Sequence, residues 1–131
     1  MSQTLSGGNG DDTLDGGAGN DDLIGGSGND TVVGGGGFDN LRGNDGDDEI
    51  HTEAFHRIAD GGDDFDTLFL NLTGADVEML DNNERMALLD YRDAPTGVRV
   101  ELDAIGITAE NFEQVIITVN GLAVSNFDDF I

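Results

Sequence analysis

Aspartate at every ninth residue is the first feature of this chain that could do chemistry. Asp12, Asp21, Asp30, Asp39 and Asp48 follow at that interval, Arg57 interrupts the series and Asp66 resumes it. Two places after each of these, Leu14, Leu23, Val32, Leu41, Ile50, Ala59 and Leu68 keep the same period. A disordered acidic linker has composition but no phase, so a carboxylate and an apolar side chain in register from residue 7 to residue 69 mean structure. Carboxylates at one phase, beside glycine-rich backbone with exposed carbonyls, present oxygen donors. Such donors suit Ca²⁺, which accepts six to eight of them at loose geometry, better than Mg²⁺.

Written in nines, residues 7–15 read GGNGDDTLD, 16–24 GGAGNDDLI, 25–33 GGSGNDTVV, 34–42 GGGGFDNLR and 43–51 GNDGDDEIH. Residues 52–60, TEAFHRIAD, keep the length and lose the consensus, which GGDDFDTLF at 61–69 restores. Thr4, Leu5 and Ser6 fit the last three places of a truncated repeat. Positions seven to nine have the form of a short strand with one side chain turned inward. Positions one to six are turn-forming, with glycine where positive φ is needed. Strand and turn in alternation make a coil of two repeats per rung, with a flat parallel sheet on each side. Turns two repeats apart stack along one edge, and their sixth-position carboxylates converge. The apolar side chains are too few to offset the ordering of so much glycine-rich backbone. Metal binding is therefore expected to supply the missing free energy, leaving the repeats largely unfolded without it.

Charge narrows the partners. The chain has 28 acidic residues against 5 arginines and no lysine, a formal net charge of -23. Nucleic acid and anionic lipid, which are bound through clustered Lys and Arg, are excluded as partners, and small cations are invited. Absence of cysteine excludes disulfides and thiolate metal sites. The longest apolar run, Val115-Ile116-Ile117, is too short for membrane insertion. Residues 1–6 carry no basic stretch and no apolar run, so no cleavable secretory signal is expected there. The length suits one domain, or one module with an appendage.

The nonapeptide G-G-x-G-x-D-x-U-x resembles the calcium-binding repeat of the RTX (repeats-in-toxin, hemolysin-type) family. The resemblance covers the first half of the chain and implies an all-β fold, a right-handed parallel β-roll extended by a C-terminal β-rich cap. It implies that each Ca²⁺ sits between turns two repeats apart. Its ligands would be both sixth-position Asp side chains, with carbonyls of positions one and three in one repeat and two and four in the other. Carried over, one edge holds Asp12/Asp30 with Gly7, Asn9, Gly26 and Gly28. The same edge holds Asp30/Asp48 with Gly25, Ser27, Asn44 and Gly46, then Asp48/Asp66 with Gly43, Asp45, Gly62 and Asp64. The other edge holds Asp21/Asp39 with Gly16, Ala18, Gly35 and Gly37. That gives about four ions. Asn44 and Asp64 stand where glycine belongs, and Arg57 where a ligand belongs. An Asp39/Arg57 pair would let a guanidinium replace the cation; the reading preferred is a bulged turn, with no full site in either case.

After Asp63 glycine becomes sparse and Leu, Val, Ile and Phe abundant. The expected division is a roll over residues 1–69 and a β-rich cap over 70–131. Residues 67–72 alternate as a longer strand, and 75–85 read as helix or loop. Residues 87–92, 98–102 and 114–119 read as strands, with a turn at 93–97 and a further strand after 122. LLDYRDAPTGVRVELD and ENFEQVIITVNG are similar to segments that follow or separate RTX repeats, which implies that they widen the roll and cover its end.

No catalytic constellation emerges. His51, Glu53 and His56 form H-x-E-x-x-H rather than the H-E-x-x-H of zinc proteases, and no EF-hand loop or acyl-transfer triad can be assembled. Acidic pairs such as Asp63/Asp64 and Asp128/Asp129 read as ligands or solvated charge rather than glycosidase acids. Asp128-Asp129-Phe130-Ile131 resembles the terminal signature of some type I secretion substrates; a final strand, or a boundary within a longer protein, explains it equally. The reading is a non-catalytic calcium-binding module of a larger secreted protein, at most the accessory part of an enzyme. Its partners would be calcium, parent-protein domains N-terminal to it and the type I secretion machinery. Such a module stays unfolded in the cytoplasm and folds at extracellular calcium. An adhesive or polysaccharide-binding module, using Phe38, Phe65, Phe69 and Tyr91, is the alternative; a stand-alone hydrolase lacks its machinery.

Overall fold

The computed structural model describes residues 2–53, 58–93, 100–102 and 106–123. The strands of the repeats are β1 (Thr4–Asn9), β2 (Thr13–Asp15), β3 (Asp22–Ser27), β4 (Thr31–Val33), β5 (Asn40–Asp45), β6 (Glu49–Glu53), β7 (Ile58–Asp63) and β8 (Thr67–Leu72). Odd-numbered strands form one sheet and even-numbered strands the other, all parallel. Each strand pairs with the one two repeats on, as Leu23 with Leu41 or Leu14 with Val32. This is the expected parallel β-roll.

Why the strands sit this way follows from the eighth position. Leu14, Val32, Ile50 and Leu68 point inward from one sheet and meet Leu23, Leu41 and Ala59 from the other. Seventh and ninth positions alternate outward by the two-residue pleat. The sheets differ in strand length, however. β1, β3, β5 and β7 run six residues, because the first three residues of the following turn keep the ladder. β2 and β4 stop after three, and the turns that follow them share only an isolated bridge, Ala18 with Gly36.

The roll is continued by the C-terminal part. Helices α1 (Gly74–Met79) and α2 (Asn82–Asp93) precede β9 (Val100–Leu102), β10 (Ile107–Glu110), β11 (Gln114–Val119) and β12 (Leu122–Ala123). β10 adds in parallel to β7, β11 adds in parallel to β8, and β9 and β12 close the two sheets antiparallel. The roll core runs without a break into Leu70, Leu72, Val77, Leu80, Leu88, Ile107, Phe112, Val115, Ile117 and Val119.

Strands at 67–72 and 114–119 lie where expected. Residues 87–92, expected as a strand, are instead part of α2. The run Ala-Leu-Leu-Asp-Tyr-Arg has no β-branched residue, and Asp81 and Glu84 cap the helix start reciprocally at 3.0 and 2.8 Å. Thr73 and Asp76 make the same box for α1. Both boxes are legible in the sequence as T-x-x-D and D-x-x-E. β10 was also unforeseen. Val119-Asn120-Gly121-Leu122 makes a two-residue hairpin between β11 and β12, with φ of 52° and 82° at Asn120 and Gly121. The turn expected at 93–97 lies largely, and the terminal Asp-Asp-Phe-Ile wholly, outside the described residues.

Candidate calcium sites

Stacking brings the sixth-position aspartates into two rows, one on each edge of the roll. Asp12, Asp30, Asp48 and Asp66 stand on one edge, and Asp21 and Asp39 on the other. Asp21, Asp30, Asp39, Asp48 and Asp66 are at most 2% exposed. One oxygen of each is accounted for: the N–H groups of Asp12, Asp21, Asp30 and Asp48 each donate to Oδ1 of the aspartate 18 residues later, at 2.8 Å. Oδ2 of Asp12, Asp21, Asp30, Asp48 and Asp66 is buried with no hydrogen-bond partner among the described residues. A buried carboxylate oxygen without a partner is costly unless a cation meets it.

Electrostatics say the same. Burial pushes the Asp66 carboxyl up to about 7; the Asp48 N–H opposes this, and the charges of Asp48, Glu113 and Asp47 add to it. Asp48 is pushed up to about 6, again chiefly by burial, with Asp30, Asp47 and Asp45 adding repulsion. A column of acids is thus held where only protons or cations relieve it.

Backbone carbonyls complete the donor set. Outside the irregular repeat 52–60, the second and fourth turn positions have positive φ, as at Gly8 (95°) and Gly62 (107°), and the non-glycines there comply, Asn44 at 82° and Asp64 at 81°. Asn and Asp tolerate that region, which explains why these two departures leave the turn intact. In this conformation the second and fourth carbonyls face the next turn above: Gly8 O and Gly10 O lie where a Cβ on Gly26 or Gly28 would go, and Gly17 O and Gly19 O where one on Gly35 or Gly37 would go. First and third carbonyls face the turn below. Gly25 O lies 2.7 Å from the place a Cβ on Gly7 would take, and Ser27 O accepts from Gly10 N at 2.7 Å.

The gap between Asp12 and Asp30 is therefore faced by Gly8 and Gly10 from below and by Gly25 and Ser27 from above. In the lowest turn of the other edge, Gly16 O faces down and accepts from Gln3 Nε2 at 3.1 Å. The first-position glycine has a separate reason. A Cβ at Gly7 would come within 2.7 Å of both Asp12 Oδ2 and Gly25 O, so a side chain there fills the donor cluster.

Among the described residues no three acidic or histidine side chains converge on one point. Each gap pairs two carboxylates with carbonyls, an all-oxygen set that fits Ca²⁺.

A second ladder was not foreseen. At the fifth position, Asn29 N donates to Asp11 Oδ1, Asp47 N to Asn29 Oδ1 and Phe65 N to Asp47 Oδ1, at 2.8 to 3.0 Å. The signal was present as Asp11, Asn20, Asn29 and Asp47 at period nine. Phe38 and Phe65, each 52% exposed, occupy this position on opposite edges and so form no common patch. Phe69 stacks on His51 on the outer face, ring centroids 4.3 Å apart. Arg57, His56 and the side chain of Tyr91 lie outside the description, so the Asp39/Arg57 pairing does too.

The family model of the RTX calcium-binding nonapeptide repeat (four copies) matches residues 2–32 and 24–56. Comparison with curated proteins and with solved structures gives no match. RTX repeats bind Ca²⁺, and the stacked turns accommodate about four ions. Sequence period, roll geometry and family model agree that residues 2–56 form RTX calcium-binding nonapeptide repeats.

Proposed function

We propose that this module folds on binding Ca²⁺ outside the cell, as the C-terminal part of a larger secreted protein exported by type I secretion. The observation that carries the reading is the row of buried Oδ2 atoms without partners. Bound calcium would neutralise facing carboxylates that otherwise repel. Asp12/Asp30 would hold an ion with the carbonyls of Gly8, Gly10, Gly25 and Ser27. Asp30/Asp48 would do so with Gly26, Gly28, Gly43 and Asp45, and Asp48/Asp66 with Asn44, Gly46, Gly61 and Asp63. On the other edge Asp21/Asp39 would use Gly17, Gly19, Gly34 and Gly36.

These residues do nothing catalytic. They convert a calcium gradient into a folding gradient, because sites of ~10⁻⁴–10⁻³ M affinity are unfilled in cytoplasm and filled outside. Residues 70–131 act as the cap. Limited proteolysis at micromolar and at millimolar free calcium tests this. Rapid cleavage within residues 7–66 at low calcium and protection at high calcium are expected; equal protection at both would overturn the proposal.

A further inference from the structure

The Asp12 edge does not end at Asp66. Gln114 pairs with Thr67 and Ala109 with Ala59, so residues 111–113 span what residues 61–66 span one rung below. In this three-residue turn Asn111 stands over Gly61 and Glu113 over Asp66. Glu113 does what each sixth-position aspartate does: its Oε2 accepts from Asp66 N at 2.8 Å. Asn111 O lies where a Cβ on Gly61 would go, as the first-position carbonyls do for the glycines beneath them, and Asp66 Oδ2 lies 2.7 Å from the same point. The Asn111 side chain is anchored by donating from Nδ2 to Asp60 Oδ1 at 2.8 Å.

We infer that the gap between Asp66 and Glu113 is a further Ca²⁺ site, built from a nonapeptide turn below and a non-repeat turn above. Its donors are Asp66 Oδ2, the Glu113 carboxylate, Asn111 O, and the carbonyls of Gly62 and Asp64. Those last two share the positive φ, 107° and 81°, that turns their counterparts upward. Asp66 is fully buried and its Oδ2 has no hydrogen-bond partner among the described residues.

The opposite end of the other edge shows what a closed end looks like. There Gln3 holds the sixth position below Asp21; its N–H donates to Asp21 Oδ1 at 2.8 Å, and its side-chain amide donates to Gly16 O at 3.1 Å. A neutral donor satisfies the downward-facing carbonyl, and no cation is called for. At Glu113 the terminating side chain is an acceptor with a charge, set against a second carboxylate. Because Glu113 is exposed, water completes this sphere and the site is the weakest of the stack.

This rests on reading the stacked turns as calcium sites. The test is native mass spectrometry of the calcium-saturated wild type and of Glu113→Gln, in which glutamine keeps an acceptor for Asp66 N–H and loses only the charge. The wild type is expected to hold one ion more than the variant. Equal, non-zero counts would overturn this inference and leave the other sites standing, whereas no ions in the wild type would overturn the underlying reading. Should the variant not fold, anomalous scattering from wild-type crystals grown in calcium decides. An ion within about 2.3–2.6 Å of both Asp66 and Glu113 supports the site, and its absence with ions elsewhere refutes it.

Discussion

Along one edge of the roll the carboxylates of Asp12, Asp30, Asp48, Asp66 and Glu113 stand in a single row, each of the later ones accepting from the backbone beneath it. Along the other, the corresponding row among the described residues is Asp21 and Asp39 above the neutral Gln3. Both edges derive from one nine-residue pattern, yet they carry different amounts of buried charge. The length of each carboxylate row is therefore set by the repeats, by the Arg57 interruption in one of them and by what flanks them. A glutamine ends one row with donors, and a cap residue extends the other with an acceptor. The edge with more stacked acid is also the one where every repeat strand, β1, β3, β5 and β7, runs six residues, so ladder and carboxylate row are extended together.

Removing one carboxylate from each edge should break the comparison most visibly. Asp48 faces two gaps, so Asp48→Ala is expected to cost two ions by native mass spectrometry and to leave the Asp12 edge labile. Asp39→Ala should cost no more than one. Next in size, Ile117→Ala in the cap, a fully packed site, is expected to lower stability in saturating calcium by about 2–5 kcal/mol in urea melts. The ion count should not change, because Ile117 belongs to the apolar core and supplies no oxygen donor. Gly43→Ala should cost about 1–3 kcal/mol, since its Cβ would press on Asp48 Oδ2 and Gly61 O. Gly36→Ala on the other edge has open space and no positive φ, and should stay within about 0.5 kcal/mol.

A further effect is on pH. Asp48 and Asp66 titrate near 6 and 7 when folded, above their ordinary value of 3.8. Without metal their contribution to folding is fully present below about 4 and is lost as pH rises through those values. Chelated protein should therefore gain a little β-structure on acidification from pH 7 to 4, by circular dichroism, while calcium affinity falls over the same range.

Much of the roll was legible because two chemistries repeat in phase: an apolar eighth position fixes the inward face, and an acidic sixth fixes the stack. Position alone could not give the direction of the carbonyls, since that depends on the φ of positions two and four and on which turn lies above. The capping part was harder. Its helices are announced by the caps at Thr73, Asp76, Asp81 and Glu84, whereas the apolar residues of Ala87 to Arg92 by themselves suit a strand as well as a helix. Glu113 was unreadable as a member of the row, because a three-residue turn shifts it out of the nine-residue phase. Only the pairing of β11 with β8 puts it above Asp66.

The most direct test of the account is far-UV circular dichroism of the purified chain titrated with Ca²⁺, with Mg²⁺ at equal ionic strength as the control. A coil-rich spectrum in chelator and a cooperative rise of β-structure with calcium alone are expected. A β-rich spectrum unchanged by chelation would contradict it, and would mean that the core from Leu14 to Val119 holds the fold without metal.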